Sequence, residues 1–188
     1  MSAAPFDDRD GSIWLDGSLI DYRDAKIHVL SHGLHYASAV FEGERLYNGS
    51  IFKSREHTDR LLKSANVVGY EIPYSIEEIE KAKLQVVEAM ELIDGYVRPI
   101  AWRGTEMMGV SAQQNKIHLA ITAWDWPSYF DPEAKTKGIN LGLSKWRRPA
   151  PDTAPTNSKA SGLYQICTMA KHEACLLYTS PSPRDVEE

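Results

Sequence analysis

The clearest chemical candidate in the sequence is Lys159, which stands among small polar residues in the segment Thr156–Gly162. This segment follows a proline-rich loop and precedes a stretch with helical spacing of apolar residues. A lysine amine can attack a carbonyl carbon and bind it covalently, and small neighbours leave room for a bulky aldehyde. Most lysines in polar loops are only solvated. The pattern therefore indicates a candidate nucleophile that needs support from other residues.

Two arginines could give that support by binding anions. Arg98 lies in an otherwise apolar stretch, where an inward-facing charge needs an anionic partner because an unpaired buried charge is too costly. Its planar guanidinium suits a carboxylate. Arg60 lies in a predicted helix. The alternative for Arg60 is a solvated charge paired with Glu56, four residues earlier on the same helix.

Three histidines lie close together in the sequence, at His28, His32 and His35. Zinc needs three or four ligands, and neither the cysteines nor a carboxylate stands at a suitable spacing. We therefore predict hydrogen-bonded structural histidines and no metal site. Aromatic residues are better candidates for an apolar pocket with hydroxyl groups at its edge. The aromatic candidates are Tyr36, Phe41, Tyr96, Tyr129 and Tyr164.

The composition indicates a soluble globular protein. Of the 188 residues, 43% are hydrophobic, which suffices for a packed core, and the net charge of −5 gives no positive field for nucleic acid or an anionic membrane. No apolar run approaches the length of a membrane span, and the polar start lacks the features of a signal peptide. Two cysteines are too few for a disulfide framework, so we expect a cytoplasmic protein.

Turn and capping signals divide the chain into short strands and three helices, which predicts an α+β fold with an antiparallel-rich sheet and two helices on one side. Strands are predicted at residues 13–17, 26–30, 40–47, 50–53, 96–103, 117–124 and 139–143. Asn48-Gly49 is a strong hairpin signal. Helices are predicted at residues 56–68, from the Ser75–Glu78 capping box to a left-handed cap at Gly95, and at 161–174. The predicted buried face of the middle helix consists of Ile76, Ile79, Val86, Val87, Met90 and Ile93.

The same signals predict the domain organisation. We assign residues 1–130 to an N-terminal α/β domain, 131–138 to a linker and 139–174 to the start of a second domain. Pieces below roughly 40 residues seldom fold without further support, so we expect the second domain to be incomplete. Residues 175–188 contain prolines that cannot continue a helix, and we interpret them as a non-native tail.

Several motifs stand in an order that is shared with a known family. They are Ser31–Tyr36, Val40–Arg45, Arg55–Leu61, Tyr96–Pro99, Met108–Val110 and Ala154–Tyr164. In this order and spacing they resemble the class IV aminotransferases that use pyridoxal 5'-phosphate (PLP), and specifically the bacterial branched-chain aminotransferases. The resemblance implies the fold-type IV, D-amino-acid-aminotransferase-like architecture, with a complete small N-terminal domain and only the start of the PLP-binding domain.

The resemblance also implies roles for individual residues. Lys159 would bind PLP covalently and then move the α-proton of the substrate. Arg60 would bind the phosphate group, and Tyr164 would hydrogen-bond the phenolic oxygen of the ring. Substrate contacts would come from Tyr36, Phe41, Tyr96, Arg98, Met108, Val110 and Tyr129. Because Met108 and Val110 resemble a loop that reaches the neighbouring subunit, a homodimer is implied.

The implied reaction is transfer of an amino group between leucine, isoleucine or valine and 2-oxoglutarate, with small amino acids and 2-oxo acids as partners. The family's glutamate at the pyridine nitrogen has no counterpart after Ala174, so we expect this chain to be inactive. Alternatives of the same fold are a D-amino-acid or (R)-amine aminotransferase and an aminodeoxychorismate lyase. Tyr96-x-Arg98 and the Met108–Val110 loop favour the branched-chain enzyme. A non-catalytic, dimerising α/β module is the alternative of another class.

Overall fold

The computed structural model describes residues 5–126, 136–138 and 142–178, with side chains described as far as Cys175. Most of the predicted linker at residues 131–138, most of the predicted strand at 139–143 and most of the predicted tail at 175–188 lie outside these ranges. The predicted domain boundaries therefore stay a prediction.

Seven strands and four helices form the described part of the chain. The strands are β1 (Ser12–Leu15), β2 (Ser18–Asp21), β3 (Ala39–Phe41), β4 (Glu44–Tyr47), β5 (Ser50–Ile51), β6 (Gly95–Arg103) and β7 (Ile117–Trp124). The helices are α1 (His32–Tyr36), α2 (Ser54–Val67), α3 (Ile76–Ala89) and α4 (Tyr164–Tyr178), with short 3-10 turns at Tyr22–Asp24 and Ser161–Leu163. None of the helices in the described ranges is long and apolar enough to cross a membrane.

All strand pairs of the sheet are antiparallel, in the order β2-β1-β7-β6-β4-β5, with β3 also beside β6. The main hydrophobic core lies between this sheet and helices α2 and α3. The predicted α+β class, the antiparallel sheet and the two helices on one side are confirmed.

The residues of strand β6 alternate between the two faces of the sheet. Val97 and Ala101 are fully buried in the core beneath α2 and α3. Because alternate residues of a strand point to opposite faces, Tyr96 and Arg98 belong to the opposite face. Since residues directly across an antiparallel pair point the same way, the register of β6 with β3 and β7 adds Phe41 to that face. The face of the sheet opposite helices α2 and α3 thus carries three of the predicted substrate residues.

The prediction of a strand at residues 26–30 is wrong. The turn at Asp16-Gly17, with φ of +47° and +109°, returns the chain at once, so the second strand is Ser18–Asp21. Strand β1 pairs with β2 on one edge and β7 on the other, which leaves residues 26–30 no place beside it. The predicted strand at 40–47 is also interrupted, at Glu42-Gly43, where the chain passes from β3 to β4.

Helix α3 begins as predicted, because Ser75 and Glu78 form both hydrogen bonds of the capping box. It ends at Ala89, earlier than predicted, since Glu91 adopts a left-handed φ of +51°. Gly95 is therefore the first residue of β6 and not a helix cap. Of the predicted buried face, Ile79, Val86 and Val87 are buried, Ile76 and Met90 are partly buried, and Ile93 is exposed. The Asn48-Gly49 hairpin between β4 and β5 is confirmed.

Candidate active site

Lys159 is held by its backbone against the end of β3 and the side of α2. Its carbonyl oxygen accepts a hydrogen bond from the Phe41 backbone N–H at 3.2 Å, and its own N–H donates to Ser64 Oγ at 2.9 Å. The next residue, Ala160, forms a β-bridge with Val40 and is buried in the main core. These contacts fix the lysine segment on the sheet, although more than a hundred residues separate it from β3 in the sequence.

The side chain of Lys159 borders a cavity of about 330 Å³. Its walls also include Arg60 and Tyr164, so the structure brings together the three residues predicted to bind the cofactor, and Arg148 lies beside them. Lys159 Nζ lies 5.3 Å from the ring centre of Phe41 and 5.6 Å from that of Tyr164, and the two rings pack edge to face at 4.7 Å. Three cationic side chains and no acidic one line the cavity among the described residues. Such a cavity attracts an anion.

Arg60 forms an ion pair that the sequence did not predict. Its Nε and Nη2 each donate to the carboxylate of Glu42 at 2.6 Å, and this carboxylate is fully buried. The alternative partner Glu56 is wrong, since Glu56 pairs with Lys53 at 2.7 Å. The sequence does contain a signal for Glu42, since this charged residue directly follows the apolar pair Val40–Phe41. A charge within an apolar stretch is also what pointed to Arg98.

Arg98 and Tyr96 form the neighbouring part of the site. Arg98 Nη2 donates to Tyr96 Oη at 3.1 Å, and the guanidinium carbon lies 4.7 Å from the ring centre of Phe41 and 5.9 Å from that of Trp124. The ring of Phe41 therefore connects Arg98 with Lys159. Sequence reasoning missed Trp124, because its place beside Tyr96 follows from the β6–β7 register and not from a local motif.

The expected anionic partner of Arg98 is absent from the described residues, where its contacts are Tyr96 and aromatic rings. Arg98 Nε is buried and has no hydrogen-bond acceptor in this part of the chain. A buried donor of this kind normally has a partner, so the arrangement fits an anion supplied from elsewhere.

Tyr36, Met108 and Val110 are not among the residues that line the Lys159 cavity. Tyr36 and Val110 border a second cavity of about 730 Å³, and Val110 is 81% exposed. Met108 is partly buried in the same loop. Tyr129 lies outside the described residues. Within one chain, therefore, the structure does not bring Tyr36, Met108 and Val110 to Lys159, and their role stays a prediction.

His28, His32 and His35 make separate hydrogen bonds. His28 Nδ1 accepts from the Leu30 backbone N–H at 3.1 Å, and His35 Nε2 lies 2.9 Å from the Val29 carbonyl. His32 is buried, with Nδ1 at 2.6 Å from Ser38 Oγ and Nε2 at 3.1 Å from the Gly109 carbonyl. Because the Gly109 carbonyl accepts, Nε2 carries the proton and Nδ1 accepts from the serine. His32 thus ties α1 to the loop that carries Val110.

The position of Tyr96 depends on the lack of a side chain at Gly43. A Cβ atom at residue 43 would overlap the Tyr96 hydroxyl group. We expect Gly43→Ala to displace Tyr96 and to lower the free energy of unfolding by about 1–3 kcal/mol, the usual cost of forcing a methyl group into packed structure. Urea unfolding measures this loss.

Gly109→Ala is the matched control for this variant, because a Cβ atom at residue 109 meets nothing within 4 Å. We expect it to change the free energy of unfolding by less than about 0.5 kcal/mol. Equal losses in the two variants would show that the contact between residue 43 and Tyr96 does not matter.

Comparison with known proteins places these residues in a family. The family model described as amino-transferase class IV matches residues 39–177. A probable branched-chain-amino-acid aminotransferase of Rickettsia conorii is 43% identical over 162 residues, which are 86% of this chain and 54% of that protein. The branched-chain-amino-acid aminotransferase of Pseudomonas aeruginosa is 42% identical over 171 residues, which are 89% of this chain and 56% of that protein.

Solved structures agree with the sequence comparison. The branched-chain amino acid aminotransferase of T.th., crystallised with pyridoxamine 5'-phosphate, matches with a TM-score of 0.83 and 38% identity, over 88% of this chain and 56% of that one. The enzyme of Thermoproteus uzoniensis, solved with norvaline, matches with a TM-score of 0.80 and 35% identity, over 86% and 55%. The chain thus spans about half the length of the relatives it matches. The expected architecture is confirmed for the matched part, and the chain belongs to the class IV aminotransferase family.

Proposed function

We propose that this protein is a PLP-dependent aminotransferase that transfers an amino group between leucine, isoleucine or valine and 2-oxoglutarate. The observation that carries the proposal is the juxtaposition of Arg60, Lys159 and Tyr164 around one cavity, joined through Phe41 to Arg98. The curated relatives that are 37–43% identical to the chain are named as branched-chain-amino-acid aminotransferases or probable ones.

The residues around the cavity suit a phosphorylated aldehyde. PLP, when bound, supplies an aldehyde for a covalent bond to an amine and a ring that withdraws electrons from the substrate. Arg60 and Arg148 provide positive charge for a phosphate group, and no described wall residue is acidic. Lys159 Nζ is the amine in this cavity, and we assign to it the removal and return of the substrate's α-proton.

The surroundings of Arg98 suit a substrate side chain that is either aliphatic or acidic. A guanidinium flanked by Phe41 and Trp124 offers aromatic surface to an aliphatic side chain and a charge to the side-chain carboxylate of glutamate. Arg98 Nε, which has no acceptor among the residues that the structure describes, supports the second role. Tyr96, which accepts a hydrogen bond from Arg98, would hold the α-carboxylate through its hydroxyl group.

We infer a homodimer from the loop at Met108–Val110, because the strongly exposed Val110 lies away from its own chain's Lys159 cavity and is free to contact a second copy. We infer a cytoplasmic location from Cys167 and Cys175, which are free and exposed thiols that suit a reducing compartment.

The test is a substrate panel on a longer protein that contains these 188 residues, incubated with PLP and 2-oxoglutarate. We expect turnover with L-leucine, L-isoleucine and L-valine, measured as glutamate formed, and none with D-amino acids or (R)-amines. Turnover of the D- or (R)-substrates instead would move the assignment to the alternative enzymes of the same fold. Failure to capture PLP at all would favour the non-catalytic module.

The expectation that the 188 residues alone are inactive stays a prediction. Glutamate formation by this chain at the rate of a longer protein with the same residues would contradict it.

A further inference from the structure

We propose that Glu42 is a positioning residue that holds the Arg60 guanidinium in the orientation needed to bind the cofactor phosphate. This inference rests on the proposed function, since it concerns the same cavity. Glu42 itself does not line the cavity, so it acts through Arg60.

The Glu42 carboxylate anchors the Arg60 guanidinium through two parallel hydrogen bonds, and we call this carboxylate the anchor. Arg60 Nε and Nη2 lie 2.6 Å from Glu42 Oε1 and Oε2 respectively, so one edge of the guanidinium faces the two carboxylate oxygens in parallel. A bidentate arrangement fixes the plane of the guanidinium as well as its distance. The backbone N–H of Glu42 donates to the Pro99 carbonyl at 2.9 Å, which holds the anchor on strand β6.

The carboxylate is buried while the arginine is not. The side chain of Glu42 is 0% exposed and that of Arg60 is 53% exposed. An arginine that extends into solvent loses considerable conformational entropy when it is fixed by a ligand. A rigid buried carboxylate restricts Arg60 before any ligand arrives, and pre-organisation of this kind increases affinity.

His57 strengthens the anchor from the same helix. His57 Nδ1 lies 2.9 Å from Glu42 Oε2 and donates to it when protonated at that nitrogen. Arg60 Nη2 is also 3.3 Å from this nitrogen, but a nitrogen that donates to Glu42 cannot also accept, so this second distance is proximity only. Burial raises the pKa of Glu42, whereas hydrogen bonds from Arg60 and His57 outweigh burial and keep its pKa below the ordinary value. The anchor is therefore anionic at neutral pH.

The arrangement leaves donors of Arg60 for a ligand. Nη1 has no hydrogen-bond acceptor within the described part of the chain, and Nη2 carries a second hydrogen. These two nitrogens form the end of the guanidinium, which is a suitable fork for two phosphate oxygens. Arg60 lines the cavity beside Lys159, so an anchored fork and the reactive amine border the same space.

The experiment compares PLP with pyridoxal, which has the same aldehyde but no phosphate. Dissociation constants for both are measured by absorbance titration of the full chain and its variants, and the readout is their ratio. We expect Glu42→Gln to lower the preference for PLP by about tenfold, the loss that accompanies one charge-assisted hydrogen bond, and to leave the affinity for pyridoxal unchanged. In the Arg60→Ala background, Glu42→Gln should have no further effect on the ratio.

Glu44→Gln is the matched control, because Glu44 is an equally buried glutamate two residues away that pairs with Lys83 and not with Arg60. It should keep the preference for PLP. If Glu42→Gln does not fold, binding of both compounds is lost, and Glu42→Asp then tests the inference. Its shorter side chain keeps the charge but draws Arg60 back. Glu42→Asp should therefore also lower the preference for PLP over pyridoxal.

The outcomes separate this inference from the proposed function. An unaltered chain that binds PLP no better than pyridoxal would refute both, because the cavity would then have no phosphate site. A clear preference in the unaltered chain that persists in Glu42→Gln, or that Glu42→Gln lowers equally without Arg60, would overturn the inference about Glu42 alone.

Discussion

Alanine in place of Lys159 is expected to abolish covalent capture of PLP. After incubation with PLP and reduction with borohydride, the unaltered chain should carry one pyridoxyl group on the peptide that contains Lys159, and the variant should carry none there or elsewhere above background. The physical reason is that Lys159 is the single lysine among the described residues of the cavity that also holds Arg60 and Tyr164. Intact-mass measurement and peptide mapping check the result.

The control for this prediction is Lys63→Ala, because PLP also reacts with solvated lysines. Lys63 is exposed on α2, the helix that carries Arg60, and its loss should leave capture unchanged. The fold should survive in Lys159→Ala, since the two hydrogen bonds that attach residue 159 to Phe41 and Ser64 use only its backbone. A stability change within about 0.5 kcal/mol is expected. Full capture by the alanine variant would remove Lys159 from the mechanism.

Elements with strong local signals could be predicted from the sequence. The capping box of α3, the Asn48-Gly49 hairpin and the long apolar strands β6 and β7 all appear near their predicted places. The sequence signals for these elements lie within a few residues of one another. By contrast, residues 26–30 have strand-like composition but no free sheet edge beside β1, and such a non-local condition cannot be read from the segment itself.

The candidate site also contains both residues that local motifs predict and a contact that depends on the tertiary fold. Lys159, Arg60 and Tyr164 stand in motifs and could be named from the sequence, and the structure places them at one cavity. The partner of Arg60 could not be named, because it depends on how α2 crosses the end of β3. On the helix alone Glu56 is the nearer carboxylate in sequence, yet the pairing goes to the buried Glu42, which is 18 residues away.

Methionine in place of Lys83 is expected to lower the free energy of unfolding by about 3–5 kcal/mol, the cost of removing one partner of a buried ion pair. Lys83 and Glu44 are both 0% exposed. Both oxygens of Glu44 lie 2.9 Å from Lys83 Nζ, although only Oε2 is aligned for a hydrogen bond. Nζ also donates to Thr58 Oγ1 at 2.6 Å and to Glu80 at 3.0 Å. Methionine would leave these acceptors without their cation.

Chemical denaturation measures this loss, and Lys81→Met is the control. Lys81 is exposed on the same helix, so its replacement should change stability by less than about 0.5 kcal/mol. The double variant Lys83→Met/Glu44→Leu should be less destabilised than Lys83→Met, because it no longer buries an unpaired carboxylate. A loss below about 1 kcal/mol in the single variant would mean that water or a rearranged side chain reaches Glu44.

The pH dependence of the free energy of unfolding should show that Glu44 is a carboxyl group whose pKa is raised by burial. Desolvation raises the pKa of Glu44 from 4.5 to about 7, although Lys83 opposes the increase. The folded chain therefore holds this proton over a pH range in which the unfolded chain has released it, and the free energy of unfolding falls as pH rises from about 4.5 to 7. One group contributes a slope of at most about 1.4 kcal/mol per pH unit.

Carboxylates with lowered pKa values, such as Glu42 and Glu80, give the opposite slope, and they do so below about pH 4.5, so the two effects occupy different windows. Glu44→Gln removes the titrating group without removing its volume, and it should flatten the slope between about pH 4.5 and 7 while leaving the acid limb unchanged. A slope that persists in Glu44→Gln would assign the titration to another group, and Lys83 would then have to be regarded as holding Glu44 ionised throughout this range.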